Sequence, residues 1–191
     1  MITVKELFLS IFFLIITSSI VAQQKGIYPG ETWKDNNGNH IQAHGGGIIK
    51  IKNTYYWYGE ERSKGLDTNF RCVSCYSSKD LMNWTSRGDV VKMTDPENLG
   101  RWVFETSKVF YNKKTKKNVM YFHLDDKSYK LAKIGIAVSD KRHGNFTYVK
   151  IFRPLGHESR DIRQFIDDDT ASLVFEDRSY LQQKNNTCAH M

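Results

Sequence analysis

A four-strand unit recurs along this chain, and that recurrence limits the possible folds more than any other feature of the sequence. Each unit consists of a β-branched and aromatic hairpin, a third strand, a Ser-Asp corner with a following aromatic residue, and a fourth strand. The first copy has strands at 48–51, 55–58, 73–78 and 89–92, the second at 109–111, 119–122, 134–140 and 148–152, and a third copy begins with a hairpin at 164–175.

The spacing of the copies predicts the fold class. From Tyr56 to Met120 the repeat is 64 residues, and from Met120 to Leu173 it is 53. Four strands per unit at such a period is typical of β-propeller blades, which bury their faces against their neighbours. We therefore expect an all-β chain with about two blades and the start of a third, too few to close a ring alone. The aromatic residues at matched positions, Trp57, Trp84 and Phe146, are expected to pack in the core.

The N-terminus has the layout of a secretory signal peptide. Lys5 precedes an apolar run from Leu7 to Ile16, and small residues lead to a cleavage point after Ala22. The alternative, an uncleaved anchor, is disfavoured because the run is well short of the ~20 residues that span a bilayer. The boundaries follow: a signal peptide at 1–22, a partial propeller domain at 23–178 and an aperiodic tail at 179–191. We expect a secreted protein, extracellular or periplasmic, with no stable membrane span after cleavage.

The charge distribution and the cysteine spacing argue against a nucleic-acid-binding protein and against a metal site at the cysteines. The net charge is +7, yet the basic residues alternate with acidic ones. The densest basic run, 113–117, follows Asn112 and is interpreted as a turn between strands, so no nucleic-acid partner is expected. Cys72 and Cys75 would face opposite sides of one strand, which favours two buried thiols over a shared metal.

The first unit offers two candidate binding residues. His44 and the glycines at 45–47 stand before a strand, where glycine lets a backbone pass close to a ligand or adopt positive φ. His44 would either bond a sugar hydroxyl or order the loop. Glu60 ends the next strand, where ligands meet propeller loops, although a solvated pair with Arg62 is the alternative.

The second and third units each place a carboxylate where an apolar strand begins. Glu105 precedes one such strand and Asp161 another, while His123, Asp125 and Tyr129 follow the partner strand of Glu105. Carboxylates that enter the first strands of successive blades gather around one axis, as glycosidases require for acid and base chemistry. Taken singly, each acid is more often solvated than catalytic.

The acidic triplet at 167–169 raises the question of a calcium site. It lacks EF-hand spacing and occupies the place where the other hairpins turn. We interpret it as a turn and expect neither a metal nor a cofactor.

Several motifs, in order, resemble glycoside hydrolase family 43, and specifically its exo-β-1,3-galactanase-like branch. That resemblance covers about residues 26–178 and implies a five-bladed β-propeller that cleaves glycosidic bonds with inversion. The motifs are Trp33-Lys34-Asp35, Ala43-His44-Gly45-Gly46-Gly47, Tyr55-Tyr56-Trp57-Tyr58-Gly59-Glu60, Tyr76-Ser77-Ser78-Lys79-Asp80-Leu81-Met82-Asn83-Trp84, Ser159-Arg160-Asp161 and Phe165-Ile166-Asp167-Asp168-Asp169.

The resemblance assigns roles to some of the candidates. Asp161 corresponds to the carboxylate that orients substrate and tunes the acid, and Glu105 and Tyr129 to residues of the galactose subsite. The wider family has a general-base Asp in the first blade, where this chain has His44-Gly45-Gly46, as in the galactanase branch. The family's acid, a Glu, is expected beyond the third hairpin and therefore beyond this chain. Thr106-Ser107 also replaces an expected Arg-Pro pair.

The leading functional expectation is hydrolysis of a β-galactan or related plant polysaccharide, with this chain a truncated copy that we expect to be inactive alone. Two alternatives remain open. One is a non-catalytic carbohydrate-binding remnant, and the other is a structural fragment that another chain completes.

The signal peptide gives the first testable prediction. Because cleavage after Ala22 removes the apolar run, the exported protein should begin at or near Gln23. N-terminal sequencing of the secreted species checks this. Recovery of Met1 on that species would contradict it.

Overall fold

A computed structural model of the chain describes residues 26–64, 72–92, 103–167 and 170–178. Within these ranges the regular structure is antiparallel β-sheet with one short 3₁₀ turn at Pro154–Gly156, so the prediction of an all-β chain is confirmed. The predicted signal peptide, the tail at 179–191, and Asp168 and Asp169 of the acidic triplet lie outside the described residues.

The first unit forms a four-stranded antiparallel sheet in chain order. The opening hairpin turns at Lys52, which adopts a positive φ of 53°. The last strand begins at Trp84, earlier than the predicted Asp89, because pairing with Ser78 resumes directly after the corner. The strands are β1 (His44–Ile51), β2 (Thr54–Glu60), β3 (Cys72–Ser78) and β4 (Trp84–Lys92).

The second unit forms another four-stranded antiparallel sheet, and the third forms a hairpin. Residues 113–116 connect the first two strands of the second sheet as a turn, which confirms that interpretation of the basic run. The strands are β5 (Val103–Asn112), β6 (Lys117–Asp125), β7 (Lys133–Ser139), β8 (Thr147–Phe152), β9 (Ile162–Asp167) and β10 (Thr170–Phe175).

The Ser-Asp corner of the first sheet is built by local hydrogen bonds. The Asp80 carboxylate accepts the backbone N–H groups of Met82 and Asn83 at 2.9 and 2.8 Å. These bonds, led by the one from Asn83, hold the pKa of Asp80 well below its ordinary value. The corner delivers Trp84 into the core, where it is 1% exposed and donates from its indole N–H to the Leu81 carbonyl.

The aromatic residues at matched positions pack as predicted. Trp57 packs edge-on against Trp84 with ring centroids 5.3 Å apart. Phe146, from the corner of the second sheet, joins the main core cluster and packs edge-on against Tyr58. Its backbone N–H also donates to Val90 of the first sheet at 2.7 Å. The corner of the second sheet therefore packs against the first sheet.

The first strands of the three sheets lie side by side, with β1 packed on β5 and β5 on β9. The predicted loop position of the glycines at 45–47 is wrong, because they lie within β1. A bulge there gives Gly45 a φ of 57°, and a Cβ on Gly46 would sit 1.8 Å from the Tyr58 carbonyl oxygen. Glycine is thus required at these positions by the close approach of the chain's own backbone.

Cys72 and Cys75 are both buried thiols, as predicted. Within the described ranges, no helix has the length and apolar character needed to cross a bilayer.

The packing gives a prediction about stability. Phe122 is 1% exposed and lies in the main core, whereas Phe165 is 63% exposed on β9. Replacing Phe122 with Ala should lower the free energy of unfolding by about 3–5 kcal/mol, because it removes a buried ring and leaves a cavity. The matched variant Phe165→Ala should change it by no more than about 0.5 kcal/mol. Urea denaturation measures both, and equal losses would contradict this account of the core.

Candidate functional site

Glu105 is the centre of a cluster of polar side chains at the start of β5. Its Oε1 accepts hydrogen bonds from the Tyr129 hydroxyl at 3.0 Å and from Arg62 Nη2 at 3.1 Å. Its Oε2 lies 3.3 Å from Nδ1 of His123, its partner residue on β6. The hydrogen bond from His123, followed by that from Tyr129, outweighs burial and lowers the pKa of Glu105. The site therefore presents an ionised carboxylate.

Glu105 does not precede its strand as predicted; it lies inside β5, immediately before a bulge. The next residue, Thr106, has a positive φ of 50°, which is unusual for a β-branched residue. A bulge re-aims the side chains beside it.

Glu60 and Arg62 form a second part of the cluster. Glu60 ends β2 with 1% of its surface exposed, and its Oε2 accepts a hydrogen bond from Arg62 Nε at 2.6 Å. The guanidinium of Arg62 therefore bridges Glu60 and Glu105, since its Nη2 reaches the second acid. The alternative of a solvated Glu60–Arg62 pair is wrong, because Glu60 is buried.

His123 lies between two carboxylates. Its Nδ1 faces Glu105 and its Nε2 lies 3.0 Å from Asp125 Oδ2. Asp125 is fully buried and also accepts the backbone N–H groups of Asp126 and Leu131 and a hydrogen bond from Arg160 Nη1. Those bonds fix the carboxylate that orients the His123 ring.

The loop after β6 presents Tyr129 to Glu105. Asp126 holds the loop by accepting the backbone N–H of Ser128 at 2.8 Å, and Arg160 Nη2 donates to the Tyr129 carbonyl at 2.8 Å. Tyr129 adopts a positive φ of 53°, so its phenol is aimed by a strained backbone. Burial, together with the charge of Glu105, raises the pKa of Tyr129 to about 12. The phenol therefore stays protonated and can donate.

Asp161 lies at the entry to β9 and is exposed. Its carboxylate has no hydrogen-bond partner within the described part of the chain. It acts electrostatically on Lys108, whose Nζ donates to the carbonyls of Gly45 and Gly46 at 3.0 and 2.9 Å. Burial and Arg163 lower the pKa of Lys108 to about 8, and Asp161 opposes that shift.

His44 is linked more loosely to the cluster. Its Nε2 lies 3.0 Å from Gln42 Oε1, and the same oxygen accepts the backbone N–H of Arg62 at 3.3 Å.

The structure brings Glu60, Glu105 and Tyr129 into one hydrogen-bonded cluster and links His44 to it through Gln42. Asp161 forms no hydrogen bond to this cluster within the described residues. Sequence reasoning gave no role to the cations Lys108 and Arg160, and it treated Arg62 only as a solvated partner of Glu60. Each of these three cations contacts a group that is distant in the sequence, namely Gly45, Asp125 and Glu105 respectively for Lys108, Arg160 and Arg62. Local sequence spacing therefore cannot predict these contacts. Across the described ranges, no group of three or more His, Cys, Asp or Glu side chains is arranged to hold a metal ion.

Comparisons with known proteins give matches among solved structures. No protein-family model matches the chain, and no curated protein sequence matches it significantly. The exo-β-1,3-galactanase of Phanerochaete chrysosporium, solved with galactose, is 39% identical over 79% of this chain and 36% of its own, with a TM-score of 0.74. The exo-β-1,3-galactanase of Clostridium thermocellum is 38% identical over 80% of this chain and 36% of its own, with a TM-score of 0.73.

A third match is a family 43 β-1,3-galactosidase solved with galactodeoxynojirimycin. It is 30% identical over 81% of this chain and 60% of its own, with a TM-score of 0.73. The chain is a relative of the glycoside hydrolases of family 43. Its relationship is with the exo-β-1,3-galactanase type, as its motifs indicated. The chain spans about a third of the length of the exo-β-1,3-galactanases it matches, 36% in both cases.

The Glu105–Tyr129 hydrogen bond gives a prediction about the site. In a Tyr129→Phe variant the pKa of Glu105 should rise toward its ordinary value, because a donor to the ionised carboxylate is lost. Carbon-13 NMR titration of the Glu105 carboxyl measures the shift. Tyr111→Phe, an exposed tyrosine at the far end of β5, is the control and should leave that pKa unchanged. An unchanged pKa in Tyr129→Phe would mean that the bond does not form in solution.

Proposed function

We propose that this chain forms part of the sugar pocket of a secreted, five-bladed β-propeller glycosidase that hydrolyses a β-galactan or related plant polysaccharide. The proposal rests on the relationship to family 43 and on one observation about the site. Glu105 is held ionised by Tyr129, Arg62 and His123 where the first strands of successive sheets meet. The chain's two four-stranded sheets and following hairpin correspond to about two blades and the start of a third.

The cluster has the chemistry of a galactose subsite. Sugar hydroxyls donate to carboxylates and accept from phenols and guanidinium groups, and bonds that involve a charged partner are about twice as strong as neutral ones. Glu105 supplies an ionised acceptor. Tyr129, which is 43% exposed, donates its hydroxyl proton to Glu105 and leaves its oxygen to accept from a sugar hydroxyl. Because Glu105 is already fixed by Arg62 and His123, and the Tyr129 loop by Asp126 and Arg160, little side-chain entropy remains to be lost when a sugar binds.

Asp161 is the proposed catalytic carboxylate of this chain, with the role of orienting substrate and tuning the acid. It is exposed at the entry to β9 and interacts electrostatically with Lys108, whose Nζ donates to the glycine segment of β1. An inverting enzyme also needs a proton donor whose pKa is raised into the working range.

The pKa shifts of the carboxyl groups bear on where that donor lies. In the described part of the chain, Asp80, Glu105 and Asp126 each have a pKa that is displaced downward. A lowered pKa suits binding and opposes proton donation at neutral pH. This argues against Glu105 as the donor, which we place in the portion of the relatives that the chain does not span.

The lowered pKa of Glu105 also favours a second candidate function. If no donor joins these residues, the pocket binds galactan without cleaving it, as in a non-catalytic carbohydrate-binding remnant. The two functions differ in turnover and share the role of Glu105 in binding.

Hydrolysis of β-1,3-galactan tests the proposal. The chain alone should give no measurable turnover, whereas a version extended with the remaining strands of the Clostridium thermocellum relative should release galactose. In the extended version, Asp161→Asn should lower the rate by about 100-fold or more, because it removes a charge that acts on the acid. Glu105→Gln should lower it by about 10-fold or more through lost sugar binding.

Lys79→Gln, an exposed position in the first corner, is the control and should leave the rate of the extended version unchanged. Turnover by the chain alone that vanishes in Asp161→Asn would overturn the assignment of the donor. An extended version that folds and binds galactan without cleaving it would favour the binding function.

A further inference from the structure

A second pocket lies at the opposite end of the sheets from Glu105. It has a volume of about 310 Å³ and opens between the turn that joins β5 to β6 and the corner after β7. Tyr111, on its wall, is roughly 20 Å from Glu105 at the ~3.3 Å rise per residue of a strand. We name it the Arg142 pocket, and its lining residues are Tyr56, Tyr111, Lys116, Asn118, Asp140, Lys141, Arg142 and His143.

The charges of the Arg142 pocket favour an anion. Lys116, Lys141 and Arg142 bring three permanent cations to its wall. The single carboxylate among the lining residues, Asp140, already forms an ion pair with Lys117. The pocket therefore has an excess of positive charge that a bound anion would neutralise.

Arg142 itself is held in place and has unused hydrogen-bonding capacity. Its carbonyl accepts the Tyr58 hydroxyl at 2.6 Å, which anchors the corner to the core of the first sheet. The corner is closed by bonds from Lys141 N–H to Ser139 Oγ and from Gly144 N–H to the Lys141 carbonyl, both 3.2 Å. The Arg142 Nε is buried and has no hydrogen-bond partner among the residues that the structure describes. A buried guanidinium N–H without a partner is costly. Because this Nε is shielded, a ligand reaches it only when the Arg142 side chain shifts toward the pocket.

Aromatic rings complete the wall. The Tyr56 and His143 rings are stacked with centroids 6.3 Å apart and planes within 7° of parallel. Tyr111 beside them is 45% exposed. A flat apolar wall next to a hydrogen-bonding group suits a ring that carries its charge at one edge, and the volume is at the lower end of small-molecule sites.

We propose that the Arg142 pocket binds a sugar that carries a carboxylate, such as a uronic acid residue. The planar fork of arginine matches a carboxylate in a bidentate pair, which favours it over a spherical anion. Lys116 and Lys141 add to the attraction, and the sugar ring lies against the aromatic wall. The choice of a sugar as the bearer of the carboxylate rests on the proposed function, and the pocket would hold acidic side groups of a polysaccharide whose neutral chain is bound near Glu105.

Calorimetric titration of the full chain with methyl galacturonoside, methyl galactoside and inorganic phosphate tests this proposal. Methyl galacturonoside should bind, and Arg142→Gln should weaken that binding by about 10-fold or more, while Glu105→Gln leaves this component intact. Arg142→Lys should restore only part of the binding, because it keeps the charge and loses the fork. The control Lys34→Gln, a change of equal charge at an exposed position, should have no effect.

The outcomes separate this inference from the proposed function. Loss of methyl galactoside binding in Glu105→Gln would support the proposed function and has no bearing on the Arg142 pocket. Methyl galacturonoside binding that is absent, or that is equal in Arg142→Gln and the unaltered chain, would overturn the Arg142 pocket. Phosphate binding as tight as that of methyl galacturonoside would overturn the preference for a sugar. If Arg142→Gln has an altered melting temperature, Lys141→Gln replaces it in the binding measurement. That variant removes a cation of the pocket and leaves residue 142 unchanged.

Discussion

The buried carboxylate of Asp125 is the constraint on which the candidate site depends. A charge that is removed from water destabilises a protein by several kcal/mol unless hydrogen bonds and an opposite charge compensate it. Asp125 is fully buried, accepts from two backbone N–H groups and from Arg160, and lies 3.0 Å from His123 Nε2. Arg160 precedes β9, and Asp125 ends β6, so one carboxylate joins the second sheet to the third. Any change that leaves Asp125 without these donors would destabilise both the junction and the loop that presents Tyr129.

From Asp125 a continuous series of charged contacts leads to the first sheet. His123 connects Asp125 to Glu105, and Arg62 connects Glu105 to Glu60 on β2. Arg62 gives Glu60 and Glu105 a shared opposite charge, and the His123 ring lies between Glu105 and Asp125. A cluster whose groups hold one another in this way keeps its geometry before any ligand arrives, which supports the proposed role in sugar recognition.

The sequence predicted the repeat well and the site only in part. Period-two patterning and turn residues are local, so the hairpins and corners could be derived from them. The position of Glu60 followed from a strand end, whereas Glu105 lies inside β5 beside a bulge. The roles of Arg160 and Lys108 did not, because their partners lie in other sheets and long flexible cations give no periodic signal. The glycines of β1 were misplaced because a bulge inside a strand has the same composition as a loop before one.

Strained backbone conformations occur in the same part of the structure as the Glu105 cluster. Thr106, Tyr129 and Ala132, none of them glycine, adopt positive φ values of 50°, 53° and 42°. Such conformations cost of order 1–3 kcal/mol each and persist where surrounding contacts determine them. Three hydrogen bonds hold this strained loop. Arg160 Nη2 donates to the Tyr129 carbonyl, and the Ser159 N–H donates to the Ala132 carbonyl. The Leu131 N–H donates to the Asp125 carboxylate. The segment at 159–160 that enters the third sheet therefore stabilises the strained loop of the second. The phenol of Tyr129 is aimed at Glu105 because the two sheets are docked, so the geometry of the pocket depends on the packing of neighbouring sheets and cannot be a property of either sheet alone.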